Sequence, residues 1–98
     1  MPVNDFMSAN AATIIDSIQS ENFSSRDFIF KMRQLFERDY IQLLYDDTST
    51  RSMGNVNQQI GRYLAVHSAD LGIADTKQRP QSTSPYGEPS STELWSKI

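Results

Sequence analysis

The chain has 98 residues, of which 38% are hydrophobic and 21% charged, with no cysteine and a net charge of −3. This length accommodates one small domain with a single core, and the missing cysteine excludes a disulfide framework or a thiolate metal site. The apolar runs are far shorter than the ~20 residues that span a bilayer. Because the first residues lack the basic start and apolar stretch of a signal peptide, we expect a cytoplasmic protein without a membrane partner.

The charge is unevenly distributed along the chain. Residues 1–48 hold four Lys/Arg and eight Asp/Glu, whereas residues 49–98 hold five and four. No acid occurs from Thr48 to Ala69, and none occurs from Thr76 to Gly87. Such asymmetry can give an acidic protein one locally positive face.

The first predicted element is a helix from about Ser8 to Gln19. A stripe at the i, i+3, i+4, i+7 spacing of a helix predicts its buried side, and it consists of Ala11, Ile14, Ile15 and Ile18. The Ser8 hydroxyl is a suitable N-cap, because it can accept from the first free backbone N–H groups.

The second predicted helix begins at a capping-box variant, in which Ser24 is followed three residues later by Asp27. Phe23 and Phe28 have the spacing of a hydrophobic staple around this cap. Apolar residues then keep helical spacing as far as Tyr45, which predicts either one helix of about 20 residues or two helices with a break near residues 37–39.

The third predicted helix begins near Gly54 or Asn55 and continues to Leu71. Gly72 is predicted to end it as a residue in the left-handed conformation. Gly61 lies in the helix interior, where glycine is destabilising relative to alanine, and this suggests that another backbone approaches closely.

The C-terminal part changes character. Residues 74–92 are rich in Ser, Thr, Gln and Pro and are predicted to form a flexible loop or a wing. Residues 93–98 regain apolar character, and two alternatives stay open for them: a strand with Trp95 packed inward, or a last helical turn capped by Ser90.

This order of elements resembles a winged helix-turn-helix over nearly all of the chain, although no residue motif of a particular family is present. The resemblance implies a mainly α fold, with a three-helix core and a C-terminal β-hairpin that residues 71–74 enter and residues 94–98 leave. Two departures are the long second helix and the segment Asp46 to Met53, which replaces a tight turn. An all-helical bundle with a disordered 74–92 segment is the alternative fold.

In a winged arrangement the third helix would lie in the major groove of a nucleic acid. The candidate nucleic-acid-binding residues are Arg51, Asn55, Asn57, Gln58, Arg62, Lys77 and Arg79. Amides pair with adenine edges, arginine pairs with guanine or phosphate, and the two wing cations would neutralise phosphates. The small number of cations and the acidic first half of the chain are arguments against this partner.

The sequence contains no set of residues with the spacing of a catalytic site, so we expect no enzyme, no cofactor, no bound metal and no small-molecule substrate. His67 is the only histidine, and its place on the apolar stripe of the third helix predicts a residue at the core edge with a local hydrogen bond. Asp46 and Asp47 are adjacent and need not converge on a metal ion. The four glycines are isolated and form no phosphate-binding loop.

The predicted function is therefore a non-catalytic binding module, either nucleic-acid-binding or regulatory. The alternative is a protein-interaction module of the same architecture, for which dimerisation through the long second helix is one option. Phe30 lies off the core stripe and is, with Tyr86 and Trp95, a candidate for an exposed contact patch, although the size of the indole favours a core position for Trp95. The sequence leaves open whether DNA, RNA or protein is the partner.

Overall fold

The computed structural model describes residues 2–48, 50–77, 81–83, 89–91 and 93–98. In these residues the helices are α1 (Val3–Ser17), α2 (Ser25–Leu35), α3 (Glu37–Asp46), α4 (Ser52–Val66) and α5 (Ser68–Leu71). The strands are β1 (Asn22–Ser24), β2 (Ile73–Asp75), β3 (Gln81–Thr83), β4 (Pro89–Ser91) and β5 (Leu94–Lys97). The protein is mainly helical with a small antiparallel sheet, which confirms the predicted fold class at this level.

Three strands far apart in the chain form the main sheet, in the order β1–β5–β2. Both pairings are antiparallel, with Phe23 opposite Trp95 in one and Ile73 opposite Lys97 in the other. The antiparallel pairing of β2 with β5 confirms that the two segments of the predicted hairpin pair with each other, here within a three-stranded sheet. It also decides the open alternative for the last residues in favour of a strand. Strands β3 and β4 form a separate two-stranded ribbon.

One hydrophobic core joins the first four helices to this sheet. Its fully buried aromatic side chains come from four different elements: α1 contributes Phe6, β1 contributes Phe23, α2 contributes Phe28 and β5 contributes Trp95. The buried apolar side chains are Val3, Phe6, Met7, Ala11, Ile14, Ile15, Phe23, Phe28, Met32, Tyr40, Leu43, Val56, Ile60, Leu64, Ile73 and Trp95.

Helix α1 begins five residues before the predicted start, so the assignment of Ser8 as its N-cap is wrong. Pro2 is the N-cap, with extended backbone angles. Val3, Phe6 and Met7 are buried in the first turns of the helix, and they extend the apolar stripe back toward the N-terminus. The burial of these three side chains, and not a polar cap, determines where α1 begins.

The capping box at the start of α2 is confirmed. The Ser24 hydroxyl accepts from the backbone N–H of Asp27 at 3.0 Å, and the Asp27 carboxylate accepts from the backbone N–H of Ser24 at 2.9 Å. Phe23 and Phe28, the two halves of the predicted staple, are both buried.

The long second helix is in fact two helices. The backbone of Phe36 (φ −132°, ψ 48°) separates α2 from α3, one residue before the predicted break. The Phe36 ring packs edge-on against the ring of Phe6, with 5.5 Å between the centroids. This packing partner lies on α1, which explains why local spacing left both one long helix and two shorter helices open.

The third predicted helix is also interrupted. α4 begins at Ser52, two residues before the predicted start, and it ends at Val66. The backbone of the next residue, His67 (φ −106°, ψ 18°), separates it from the short α5. Gly72 follows α5 with φ 70° and ψ 34°, so the predicted left-handed glycine is confirmed.

The predicted close approach of a backbone to Gly61 is wrong, because a Cβ added there would meet nothing within 4 Å.

We therefore expect Gly61→Ala to stabilise the protein by about 0.5–1 kcal/mol, since glycine loses more conformational freedom than alanine when a helix forms. Urea unfolding followed by circular dichroism measures this change. Gly72→Ala is the matched control, and it should destabilise because of its positive φ. A loss of stability in Gly61→Ala would contradict the expectation.

Candidate functional site

Helix α4 has one buried side and one exposed side. Val56, Ile60 and Leu64 are fully buried on the first side. The opposite side carries exposed residues at helical spacing, namely Asn55, Gln58, Gln59, Arg62 and Val66. Burial of the apolar stripe thus fixes which side chains α4 presents to solvent.

The exposed side of α4 lines a surface cleft of about 480 Å³, named here the α4 cleft. The first turn of α1 contributes Asn4 to the wall. The complete lining is Asn4, Asn55, Gln58, Gln59, Arg62, Tyr63, Val66 and His67. Four of these eight residues are Asn or Gln, and Arg62 is the only Lys or Arg among them.

The structure brings together three of the predicted nucleic-acid-binding residues, Asn55, Gln58 and Arg62, in the α4 cleft. Asn57 is placed differently. It is half-buried, and its Oδ1 accepts a hydrogen bond of 2.6 Å from the hydroxyl of Tyr40 on α3. The side chain of Asn57 therefore joins α4 to α3 and does not belong to the exposed face.

The three other predicted residues lie outside the cleft lining or outside the described residues. Arg51 is exposed at the N-cap of α4. Lys77 is exposed two residues after the end of β2, with φ 67°, and its backbone N–H donates to the Asp75 carboxylate at 2.8 Å. Arg79 lies outside the described residues, as does Tyr86.

Sequence reasoning did not assign Asn4, Tyr63, Val66 or His67 to a binding surface. Asn4 was missed because the predicted α1 began at Ser8. The rings of Tyr63 and His67 stack with 4.1 Å between centroids, and His67 Nδ1 lies 3.6 Å from an Asp70 carboxylate oxygen. His67 thus stacks on Tyr63, which packs against the core, and both of its ring neighbours are local in the chain. The predicted local hydrogen bond of its side chain is not found in the described residues.

The side chains of α4 itself favour a polar or anionic ligand. Helix α4 contains no acidic residue, and Arg62 is its only Lys or Arg. Amide side chains donate and accept hydrogen bonds without a charge of their own. Among the residues that the structure describes, no group of three His, Cys, Asp or Glu could hold a metal ion, and no helix is long and apolar enough to cross a membrane.

A second surface lies between α2 and α3. We name it the α2–α3 groove; its volume is about 400 Å³, and it also reaches Met53 at the start of α4. Its lining consists of Phe30, Arg33, Gln34, Glu37, Tyr40, Ile41, Leu44 and Met53.

The predicted aromatic contact patch is confirmed for Phe30 only in its exposure: the side chain is 60% exposed and lies off the core stripe. Trp95 is buried in the core and takes no part in an exposed patch.

No protein-family model, no curated protein and no solved structure matches this chain.

Proposed function

We propose that the chain is a non-catalytic winged-helix domain that binds duplex DNA through α4. One observation carries this proposal: Asn55, Gln58 and Arg62 lie together on the exposed side of α4, and α4 contains no acidic residue. A helix presenting amides and arginine along one side has the chemistry that reads base edges in a major groove.

The order of elements supports the same proposal. A helical core is followed by β2 and β5, which pair with each other and would form the two sides of a wing, and β1 adds a third strand to them. The β3–β4 ribbon lies between β2 and β5 in the chain and would extend the wing. One departure is α3, which stands as an additional helix between α2 and α4.

The residues of the proposed interface have separate tasks. Asn55 and Gln58 would each pair with an adenine edge, and Arg62 with guanine or a phosphate. Lys77, at the start of the wing, would neutralise a backbone phosphate. The narrow major groove of an RNA duplex does not admit a helix, which favours DNA over duplex RNA.

The test is a titration of a labelled DNA duplex at low salt, followed by fluorescence anisotropy. We expect binding whose salt dependence has a logarithmic slope no steeper than about −4, because the candidate contacts include four Lys or Arg, namely Arg51, Arg62, Lys77 and Arg79. The double variant Arg62→Ala with Lys77→Ala should bind at least ~10-fold more weakly and lose about two units of that slope.

Arg38→Ala is the matched control, because Arg38 is exposed on α3 and lines neither the α4 cleft nor the α2–α3 groove. It should bind the duplex as the unmodified chain does. Absence of binding at low salt, or equal affinity of the double variant and the unmodified chain, would contradict the proposal.

A second candidate function, contact with another protein, is favoured by a different observation. Phe30 and Ile41 remain more than half exposed in the α2–α3 groove, although a chain of this size has few apolar side chains to leave in water. The α4 cleft and the α2–α3 groove share no residue, so the two functions are compatible.

A further inference from the structure

The α2–α3 groove combines exposed apolar side chains with charges of both signs. Phe30 is 60% exposed and Ile41 55% exposed. Two large apolar side chains exposed in one groove favour a protein interface, because their burial removes apolar area from water. The groove is therefore suited to a partner that covers both side chains.

The charged groups of the groove restrict the chemistry of that partner. Arg33 and Glu37 both line it, and both are exposed. The Arg33 guanidinium lies 5.8 Å from the centre of the Tyr40 ring, and no ion pair joins Arg33 to Glu37 in the part of the chain that the structure describes. A partner that pairs with both charges would supply one negative and one positive group.

We propose that this partner is a second copy of the chain, bound groove to groove about a two-fold axis. In a two-fold interface, residue i of one subunit contacts residue j of the other, and residue j contacts residue i. Arg33 would face Glu37 of the partner subunit, and Glu37 would face Arg33 of the partner subunit. Each copy thus supplies an opposite charge for both charged groups of the other copy. Phe30 and Ile41 of both copies would be buried between them.

This inference rests on the second of the two proposed functions and is independent of DNA binding. Its interface uses α2 and α3, whereas α4 presents Asn55, Gln58 and Arg62 on a different surface. A dimer formed through α2 and α3 would keep two copies of the α4 cleft accessible.

The first measurement is the mass of the intact chain by sedimentation over a range of concentrations. We expect it to rise from 11.1 kDa toward twice that value. Arg33→Glu alone and Glu37→Arg alone should each weaken the dimer at least ~10-fold, because each places like charges opposite one another in the interface. Circular dichroism verifies that both variants fold.

The deciding experiment mixes these two variants. Arg33→Glu gives a groove with two acids, and Glu37→Arg gives a groove with two cations. Two copies of either variant repel one another, but one copy of each restores both ion pairs. We expect the equimolar mixture to recover the dimer, and the chain carrying both substitutions to dimerise on its own.

Arg38→Glu is the matched control for charge reversal outside the groove, and it should dimerise as the unmodified chain does. A monomer at every concentration up to about 1 mM overturns the inference, since association weaker than this contributes under about 4 kcal/mol. A dimer that neither single variant weakens also overturns it, but leaves a protein-contact function through another surface standing. Arg62→Ala should keep the dimer, so DNA binding and dimerisation can fail separately.

Discussion

Replacing Trp95 by alanine is expected to remove a large share of the stability of this protein. Trp95 is 1% exposed and lies in β5, the central strand of the main sheet, between β1 and β2. Its indole N–H donates to the Ser25 hydroxyl at 3.0 Å, and that hydroxyl donates to the Glu93 carboxylate at 3.0 Å. The side chain therefore joins the C-terminal strand to the start of α2.

The size of the effect follows from the volume that is removed. A buried tryptophan replaced by alanine costs about 3–5 kcal/mol, whereas a domain of this length has a total stability of about 5–15 kcal/mol. Loss of the indole also leaves the buried Ser25 hydroxyl without its donor. We expect the midpoint of urea unfolding to fall steeply and the sheet to be lost with it.

The measurement is urea unfolding followed by circular dichroism, because the chain contains only one tryptophan and the substitution removes the fluorescent probe. Trp95→Phe is the matched control. It keeps an aromatic ring in the core but loses the N–H donor, so it should cost less than Trp95→Ala. A cost under about 1 kcal/mol for Trp95→Ala would contradict the burial of this residue, since truncation of a buried tryptophan costs several times more.

Phe6→Ala is the second substitution with a large expected effect. Phe6 is 2% exposed, and its ring packs against the ring of Phe36 at the break between α2 and α3. Truncation should cost about 3–5 kcal/mol. Because Phe36 loses its aromatic partner, we also expect the junction between α2 and α3 to exchange its amide hydrogens faster.

Ser8→Ala provides the contrasting variant on the same helix. If Ser8 were the N-cap, its replacement would cost about 1 kcal/mol, and Phe6→Ala would change little. In the structure Ser8 is an exposed residue within α1, so its replacement should stay within about 0.5 kcal/mol. Unfolding of the two variants measured together therefore decides where α1 begins.

Several features could be predicted from the sequence because their causes are local. The capping box joins Ser24 and Asp27 over three residues, and the hydrogen bonds that form it need no other part of the chain. Gly72 ends a helix through its own backbone freedom. The buried side of α4 follows from the spacing of Val56, Ile60 and Leu64.

The candidate site could also be predicted where its cause is local, namely the spacing of residues along α4. Helical spacing placed Asn55, Gln58 and Arg62 on the exposed side of α4, and the structure groups them there. The same reasoning included Asn57, since amide residues look alike in a sequence. Only the position of Tyr40 on a neighbouring helix shows that Asn57 has an internal partner.

Tertiary structure alone decided the features that depend on distant residues. The break at Phe36 and the start of α1 both depend on the packing of Phe6, thirty residues away from Phe36 in the chain. Trp95 contacts Ser25 across 70 residues, and β1 gains its strand character by pairing with β5. The sequence by itself determined the caps, the amphipathic helices and the absence of cysteine chemistry. The ends of helices, the sheet and the grouping of side chains into surfaces required the fold, because their stabilising contacts form only after distant segments have packed together.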